Sequence, residues 1–340
     1  MITPPNQFNL RALQKGDKVR ILCIARSAQK SELKNAESYL QSIGLKVDYG
    51  NTIGKVHYQF GGTAQERMED FIEAWNDPEV AAIWIARGGY GSIQILEGLD
   101  FVQMAEASTP LSHRTNFTRK RSLSISTSLN DHGVEAHRKK DKKYIKPIIG
   151  YSDVTLIHSK MQKAGLPSIH AFMPLEVDTR TAFAKASFRK ALFNEEIRVE
   201  LRNNQNLSPQ KIRGKLHGGN LSILYSMLGS EDLPDLTGGI LFIEEIDEYL
   251  YHIERMMFSL KRAGKFSGLK ALLVGGMTDM NDHKIPFGKN ALEIIQDLTA
   301  DYDYPVIFDF PAGHLENNVS LKLGMEMEIL IDSNDIIFTQ

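Results

Sequence analysis

Short apolar runs alternate with segments of helical periodicity along the first 175 residues, and this alternation constrains the fold more than any other feature of the sequence. We predict strands at 18–25, 45–49 and 80–86. We predict helices at 29–43 and 63–76. Thr63 and Glu66 form a capping box at the start of the second helix. Repeated strand, helix and strand units predict a parallel sheet covered by helices, with its ligand site beyond the carboxyl ends of the strands.

The chain is long enough for two domains, since its 340 residues compare with about 150 for one typical domain. We assign 1–175 to a first α/β domain and 211–340, where Gly-rich turns separate apolar strands, to a second. The polar and charged helical stretch 176–210 is predicted to connect them. Residues 111–146 carry ten Lys or Arg against three Asp or Glu. We interpret them as an inserted loop that is either solvated or binds an anionic surface.

Composition favours a soluble cytoplasmic protein. The hydrophobic fraction is 42%, the charged fraction is 24% and the net charge is -2, which excludes a disordered chain and a surface built throughout to bind nucleic acid. No apolar stretch reaches the roughly 18 residues that cross a bilayer, and the first residues do not resemble a secretory signal. Cys23 is the single cysteine and no zinc-binding spacing occurs, so we predict no disulfide, no metal and no cofactor.

A Gly-rich turn, ARGGYGS at 86–92, follows the predicted strand 80–86. It matches neither the dinucleotide-binding pattern of glycines nor a phosphate loop, so the sequence does not favour a nucleotide cofactor. Its backbone amides could line an anion or oxyanion pocket, and a plain turn is the alternative.

A serine lies at the next strand-to-helix turn. Ser152, in GYSDV, follows the predicted buried strand 144–150 and precedes a predicted helix at 153–164. This is the position of a nucleophile elbow, although Val154 stands where the usual pattern has its second glycine. A helix N-cap is the alternative interpretation of Ser152. A nucleophilic serine also needs a base and an orienting acid.

Strand ends in the second domain could supply both groups. Glu244 and Glu245 follow the apolar run GILFI, where burial of a carboxylate would be costly without a partner. His314 lies on a Pro-Ala-Gly-His turn after the predicted strand 304–310. Its position at a strand end makes it the leading candidate for the base among the ten histidines.

Six blocks in chain order carry a family resemblance: GGTAQERMEDF, ARGGYGS, GYSDVT, HGGNLS, LFIEEIDEYLYHIERMMFSL and AGHLENNVSLKLG. Together they resemble the serine LD-carboxypeptidases, the muramoyltetrapeptide carboxypeptidase family, which also contains microcin C immunity peptidases. The resemblance implies a triad of Ser152, Glu244 and His314, with Glu245 where the family usually has aspartate. It also implies a flavodoxin-like amino-terminal domain, a smaller swivelling β/β/α carboxyl-terminal domain and a homodimer.

The same resemblance implies that the enzyme releases terminal D-alanine from muropeptide tetrapeptides in the cytoplasm, by hydrolysis of an amide between an L-residue and a D-residue. The backbone amides of Gly89 and Asp153 would form the oxyanion hole, and Arg87, Tyr90 and Arg255 are candidates for substrate binding. One alternative is an immunity-type peptidase acting on peptidyl or aminoacyl nucleotides. Another is a non-enzymatic binder of anions or nucleic acid. We expect no membrane partner and do not favour nucleic acid as a partner.

Overall fold

The computed structural model describes residues 8–107 and 143–340, so most of the basic stretch 111–146 lies outside the described residues. The strands are β1 (Phe8–Leu10), β2 (Lys18–Leu22), β3 (Lys46–Tyr49), β4 (Val80–Ile85), β5 (Lys143–Ile145), β6 (Ile148–Gly150), β7 (Ser168–His170), β8 (Arg198–Arg202), β9 (Gln210–Asn220), β10 (Ile240–Ile246), β11 (Ala271–Thr278), β12 (Val306–Ile307), β13 (Leu321–Leu323), β14 (Glu326–Ile331) and β15 (Asp335–Thr339). The helices are α1 (Lys34–Ser42), α2 (Ala64–Asn76), α3 (Ile93–Leu96), α4 (Phe101–Ala107), α5 (Thr155–Lys163), α6 (Ala182–Leu192), α7 (Leu221–Ser226), α8 (Leu250–Arg262) and α9 (Ala291–Thr299). Within these ranges no helix is both long and apolar enough to cross a membrane.

The first sheet has the strand order of a flavodoxin-like domain. Its six strands are arranged as β13, β7, β6, β4, β2 and β3. All neighbours pair in parallel except β13, which pairs antiparallel with β7. Numbered along the chain, the five parallel strands have the order 2-1-3-4-5, which confirms the predicted fold class. The order reverses between β2 and β4, so the loops after these two strands flank the crevice where this topology binds ligands.

The second sheet is mixed, with the order β12, β11, β10, β9, β14, β15 and β8. The strands from β12 to β9 pair in parallel, and those from β9 to β8 pair antiparallel. β9 joins the two parts, because its last residues pair with β10 and its first residues pair with β14. The carboxyl end of β10 presents Glu244 and Glu245 beside the end of β9.

The stretch 176–210, which the sequence predicts to be a connector, is shared between the two sheets. Phe188 on α6 packs into the core of the first sheet, where its ring lies 4.8 Å from that of Trp84. The Trp84 indole donates a hydrogen bond to the carbonyl of Phe172 at 2.9 Å. Farther along the stretch, β8 forms an edge of the second sheet. Burial of α6 and pairing of β8 therefore fix this segment to both parts of the molecule.

One predicted strand is two strands in the structure. The sequence predicts a single strand over 144–150, whereas β5 ends at Ile145 and β6 begins at Ile148. Pro147, which has no backbone N–H to donate, lies between them. β5 pairs with β1 in a separate two-stranded sheet, and β6 lies between β4 and β7. Periodicity alone does not reveal this change of partner.

The capping box predicted for α2 is present and gives a stability prediction. The Thr63 hydroxyl accepts from the backbone N–H of Glu66 at 3.2 Å, and the Glu66 carboxylate accepts from the backbone N–H of Thr63 at 2.8 Å. Thr63→Ala removes one acceptor at the helix end and should lower the free energy of unfolding by about 1 kcal/mol, measured by urea denaturation. Thr63→Ser is the matched control and should retain most of that stability. An unchanged unfolding midpoint in the alanine variant would contradict the role of this cap.

Candidate active site

A cleft of about 630 Å³ opens where the carboxyl ends of parallel strands from both sheets come together. The first sheet contributes the loops after β2, β4, β6 and β7. The second contributes Ser222 after β9, the residues that end and follow β10, and His314 after β12. Side chains and backbone from both parts line it, among them Arg87, Gly88, Gly89, Ser152, Glu245 and His314. This is the crevice expected beyond the strand ends of an open α/β sheet.

Ser152 occupies a strained turn on the wall of the cleft. It begins a short 3-10 turn, Ser152–Val154, directly between β6 and α5, and its backbone φ is 60°. Non-glycine residues rarely adopt this left-handed conformation, and a nucleophile elbow is one place where they do. The Gly-rich turn lies against it, since a Cβ placed on Gly88 would be 3.6 Å from Ser152 Oγ.

His314 and Glu244 form a hydrogen-bonded pair at the cleft. Nδ1 of the imidazole lies 2.6 Å from Oε2 of Glu244, a carboxylate that is fully buried at the end of β10. Gly313 allows this approach, because its φ is +106° and a Cβ there would lie 2.6 Å from Cβ of Glu244. The carbonyl of His314 accepts a hydrogen bond from the Thr278 hydroxyl at 2.9 Å, which fixes the loop to β11.

The carboxylate changes the acid–base behaviour of the imidazole. Burial acts to lower the pKa of His314, but the charge of Glu244, its hydrogen bond to the ring and the charges of Glu176 and Glu245 together outweigh burial, so the pKa lies above its ordinary value. An Nδ1–H that donates to Glu244 leaves Nε2 as the ring nitrogen able to accept a proton.

The ring of Tyr151 joins the histidine loop to the serine turn. Tyr151 immediately precedes Ser152, and its ring centroid lies 4.7 Å from that of His314. Ser152 and His314 line the same cleft, and no hydrogen bond joins them among the residues that the structure describes. The structure therefore pairs Glu244 with His314 and places Ser152 in the same cleft. Such contacts are often long before substrate binds and tighten in the complex.

Glu245, next to the paired glutamate, is anchored rather than free. Its two carboxylate oxygens accept hydrogen bonds from the Asn220 side chain at 2.8 Å and from the backbone amides of Ser222 and Ile246 at 2.7 and 2.9 Å. Burial raises the pKa of Glu245, and the neighbouring charge of Glu244 adds to that effect. Glu245 therefore holds the start of α7 against the end of β10.

Asp153 fixes the Gly-rich turn to the serine turn. Its buried carboxylate accepts a hydrogen bond from the backbone amide of Ser92 at 2.9 Å. Burial raises the pKa of Asp153, while this hydrogen bond and the charge of Arg67 oppose the shift. Arg67 donates to the carbonyl of Gly91 at 3.0 Å and so holds the turn from its other side. Gly89, with φ +102°, lines the cleft between these anchors.

Comparison with known proteins identifies the family. The family model for the LD-carboxypeptidase N-terminal domain matches residues 19–112. The family model for the C-terminal domain matches residues 213–329. The chain belongs to the LD-carboxypeptidase family. It is 29% identical to the probable murein peptide carboxypeptidase of Bacillus subtilis, over 93% of this chain and 90% of that protein. It is 26% identical to the microcin C7 self-immunity protein MccF of Escherichia coli, over 92% of this chain and 89% of that protein.

A solved structure agrees with this assignment. The crystal structure of muramoyltetrapeptide carboxypeptidase from Oxalobacter formigenes matches this LD-carboxypeptidase with a TM-score of 0.76 at 25% identity, covering 94% of this chain and 98% of that chain. The resemblance found in the sequence is therefore confirmed, as is the prediction of an enzyme. The alternative of a non-enzymatic binder is set aside.

Three residues predicted for substrate binding have different surroundings in this LD-carboxypeptidase. Arg87 lines the cleft and donates to the carbonyl of Ser27 at 3.3 Å. Tyr90 is half exposed and its ring faces that of Phe60, outside the cleft. Arg255 lies on the exposed face of α8, over the ring of Tyr251, and does not line the cleft.

Sequence reasoning missed a partly buried network beside the catalytic candidates. The Tyr151 hydroxyl donates to Glu176, and Arg180 lies 2.9 Å from the Glu176 carboxylate and donates to the Tyr151 oxygen at 3.1 Å. Arg180 also donates to the carbonyl of Leu315, the residue after His314. Its side chain is 8% exposed. The Glu176–Arg180 spacing of four residues was visible in the sequence, but the contact of Arg180 with the histidine loop was not.

Proposed function

We propose that this LD-carboxypeptidase releases the terminal D-alanine from muropeptide tetrapeptides in the cytoplasm, with Ser152 as nucleophile, His314 as base and Glu244 as the orienting acid. The observation that carries the proposal is the buried Glu244–His314 hydrogen bond beside a cleft that also holds a serine in an elbow-like backbone conformation. The relatives named for murein peptides and muramoyltetrapeptides support the substrate class.

In the proposed reaction the hydroxyl oxygen of Ser152 attacks the carbonyl carbon between the L-residue and D-alanine. Nε2 of His314 takes the hydroxyl proton and then gives it to the departing amine, so the C–N bond breaks as the acyl-enzyme forms. Water then attacks the acyl-enzyme, with His314 taking and returning a proton in the same way. Glu244 holds the ring by Nδ1 and balances the charge of the imidazolium.

The oxyanion formed in this attack needs hydrogen-bond donors. We assign that role to the backbone amides of Gly89, on the cleft wall, and Asp153, which directly follows the serine. The anchoring of both turns by the Asp153 carboxylate and by Arg67 holds these amides in place before substrate arrives. Donors fixed in advance stabilise a developing charge without reorganisation.

Mass spectrometry of a muramyl tetrapeptide before and after incubation with the enzyme tests the substrate. We expect loss of one alanine from the peptide ending in D-alanine and no loss from the matched peptide ending in L-alanine. Release from both peptides, or from neither, would contradict the proposed specificity.

A second candidate substrate is favoured by the relative named as a microcin C7 self-immunity protein. Under this candidate the same serine, histidine and glutamate would hydrolyse the bond between an aminoacyl group and a nucleotide analogue. An aminoacyl sulfamoyl nucleoside supplied in parallel with the tetrapeptide separates the two. Higher kcat/KM on the nucleoside would replace the murein assignment.

The network behind His314 gives a prediction about a positioning residue. Arg180→Met removes the donors to Tyr151 and to the carbonyl of Leu315, so His314 should lose its alignment and kcat should fall roughly 10- to 100-fold with little change in KM. Glu176 would also lose its counter-charge. The pKa of His314 should then rise further and move the acid limb of the pH profile of kcat/KM to higher pH.

Arg189→Met is the matched control for this prediction, because Arg189 is an exposed, ion-paired arginine on α6. It should leave both kcat and the pH profile unchanged. If Arg180 only stabilised the fold, Arg180→Met would lower the amount of folded enzyme without moving the acid limb of the pH profile. That result would contradict the proposal that Arg180 positions His314.

A further inference from the structure

Two arginines that follow neighbouring strands line the cleft and have no acidic partner among the described residues. Arg26 follows β2 and Arg87 follows β4, and these strands pair in parallel at the point where the strand order reverses. Neither guanidinium forms an ion pair in the part of the chain that the structure describes. Glu176, an acidic residue of the same cleft, is paired with Arg180. Two unpaired cations at a ligand crevice are the electrostatic pattern that suits an anionic group of a ligand.

The Arg26 side chain lies directly against the Gly-rich turn. A Cβ on Gly89 would be 2.7 Å from Cδ and 2.8 Å from Nε of Arg26, so a side chain at this position would displace Arg26 from the turn. The adjacent Gly88 is the residue whose Cβ would lie 3.6 Å from Ser152 Oγ. The turn thus has the serine beside one glycine and the Arg26 side chain beside the next. Arg87 is tied to the same place, since it donates to Ser27, the residue after Arg26.

The part of the cleft lining that follows β10 carries negative charge. Asp247 and Glu248 follow β10 and line the cleft from the second sheet, where Glu248 also contacts the His252 imidazole and Asp247 accepts a hydrogen bond from the Asn281 side chain. A carboxylate would be repelled there and attracted to the arginines, so the cleft has an electrostatic direction. In a peptide with a terminal D-amino acid, only the amide nitrogen and one Cα separate the scissile carbonyl from the terminal carboxylate. A peptide carbonyl at Ser152 therefore brings that carboxylate close to the Gly-rich turn.

We propose that Arg26, together with Arg87, binds the terminal carboxylate of the substrate, and that Arg26 thereby restricts this enzyme to removing the last residue of a peptide. The inference rests on the proposed function, because it takes Ser152 as the attacking residue. A guanidinium can make two parallel hydrogen bonds to a carboxylate, which fixes both the position and the orientation of the leaving residue.

The test compares a tetrapeptide ending in D-alanine with the same peptide ending in D-alanine carboxamide, which has no terminal charge. In the wild type we expect the acid to be preferred. Arg26→Met keeps an aliphatic chain against Gly89 and should lower kcat/KM for the acid roughly 10- to 100-fold, mainly through KM, with little change for the carboxamide. Arg26→Lys should restore part of the preference. Arg262→Met, at an exposed arginine that ends α8 outside the cleft, should change neither value.

Binding measured without turnover separates failure of this inference from failure of the proposed function. Calorimetry on the Ser152→Ala protein should show tighter binding of the acid than of the carboxamide, and addition of Arg26→Met should remove the difference. Equal affinity for the two peptides, or no binding of either, would overturn the inference whatever the turnover. An equal loss of activity on both peptides in Arg26→Met would also overturn it, since Arg26 would then only support the Gly-rich turn. Tight binding of the acid with no D-alanine release by the wild type would instead overturn the proposed function alone.

Discussion

Ser152→Ala should lower kcat for D-alanine release by about 10⁴-fold or more, because no acyl-enzyme can form without the hydroxyl oxygen. The variant should still bind the tetrapeptide, since the cleft, the Gly-rich turn and the arginines remain in place. The measurement is single-turnover release of D-alanine, followed by mass spectrometry. The acyl-enzyme itself should be detectable in the wild type as an added mass on the serine and absent from the variant.

A serine on α5, the helix that follows the Ser152 turn, provides the control. Ser159 lies on α5, is buried, and its hydroxyl has no hydrogen-bond partner among the described residues. Ser159→Ala should leave kcat unchanged. Ser152→Gly tests the backbone strain, because glycine adopts the φ of 60° without strain. This variant should have a higher free energy of unfolding than the wild type and should be as inactive as Ser152→Ala. Activity above a tenth of the wild-type value in Ser152→Ala would remove Ser152 from the mechanism.

The first sheet could be predicted from the sequence because several of its strands and helices are marked locally. β2 is mostly buried and β4 is apolar throughout, whereas α2 carries its own capping box, so each of these elements is specified by residues close together in sequence. The order of the strands is set by contacts between distant segments, and periodicity contains no record of those. The family resemblance supplied that order in advance.

The same distinction applies to the site. Strand ends and Gly-rich turns singled out Ser152, Glu244 and His314 as candidates one at a time, and the resemblance grouped them. The structure joins Glu244 to His314 across 70 positions of sequence. Arg26 and Arg180 had no local motif, and their importance comes only from packing against Gly89 and from contact with Leu315. Function that resides in such long-range contacts leaves no periodic signal.

Glu244→Gln should have an effect nearly as large as loss of the serine. The amide keeps the shape of the side chain but can no longer balance an imidazolium or favour the Nδ1–H tautomer, so kcat should fall by about 10³- to 10⁴-fold. Glu245→Gln is the matched control. Glu245 accepts three N–H hydrogen bonds and does not contact the ring, so this variant should lose stability by about 1–3 kcal/mol but retain most of its activity. The reverse ranking of the two variants would assign the orienting acid to Glu245.

The pH dependence of Glu244→Gln provides a readout that a folding defect would not produce. In the wild type the carboxylate raises the pKa of His314 against the opposing effect of burial, and the base must be neutral to act. The acid limb of kcat/KM should therefore have its midpoint above the value of about 6.5 that is usual for histidine. Without this carboxylate burial is the largest remaining influence, opposed by the charges of Glu176 and Glu245, and burial lowers the pKa. The small residual activity of Glu244→Gln should then persist to lower pH than that of the wild type, and a midpoint that stays in place would mean that Glu244 does not set the protonation of His314.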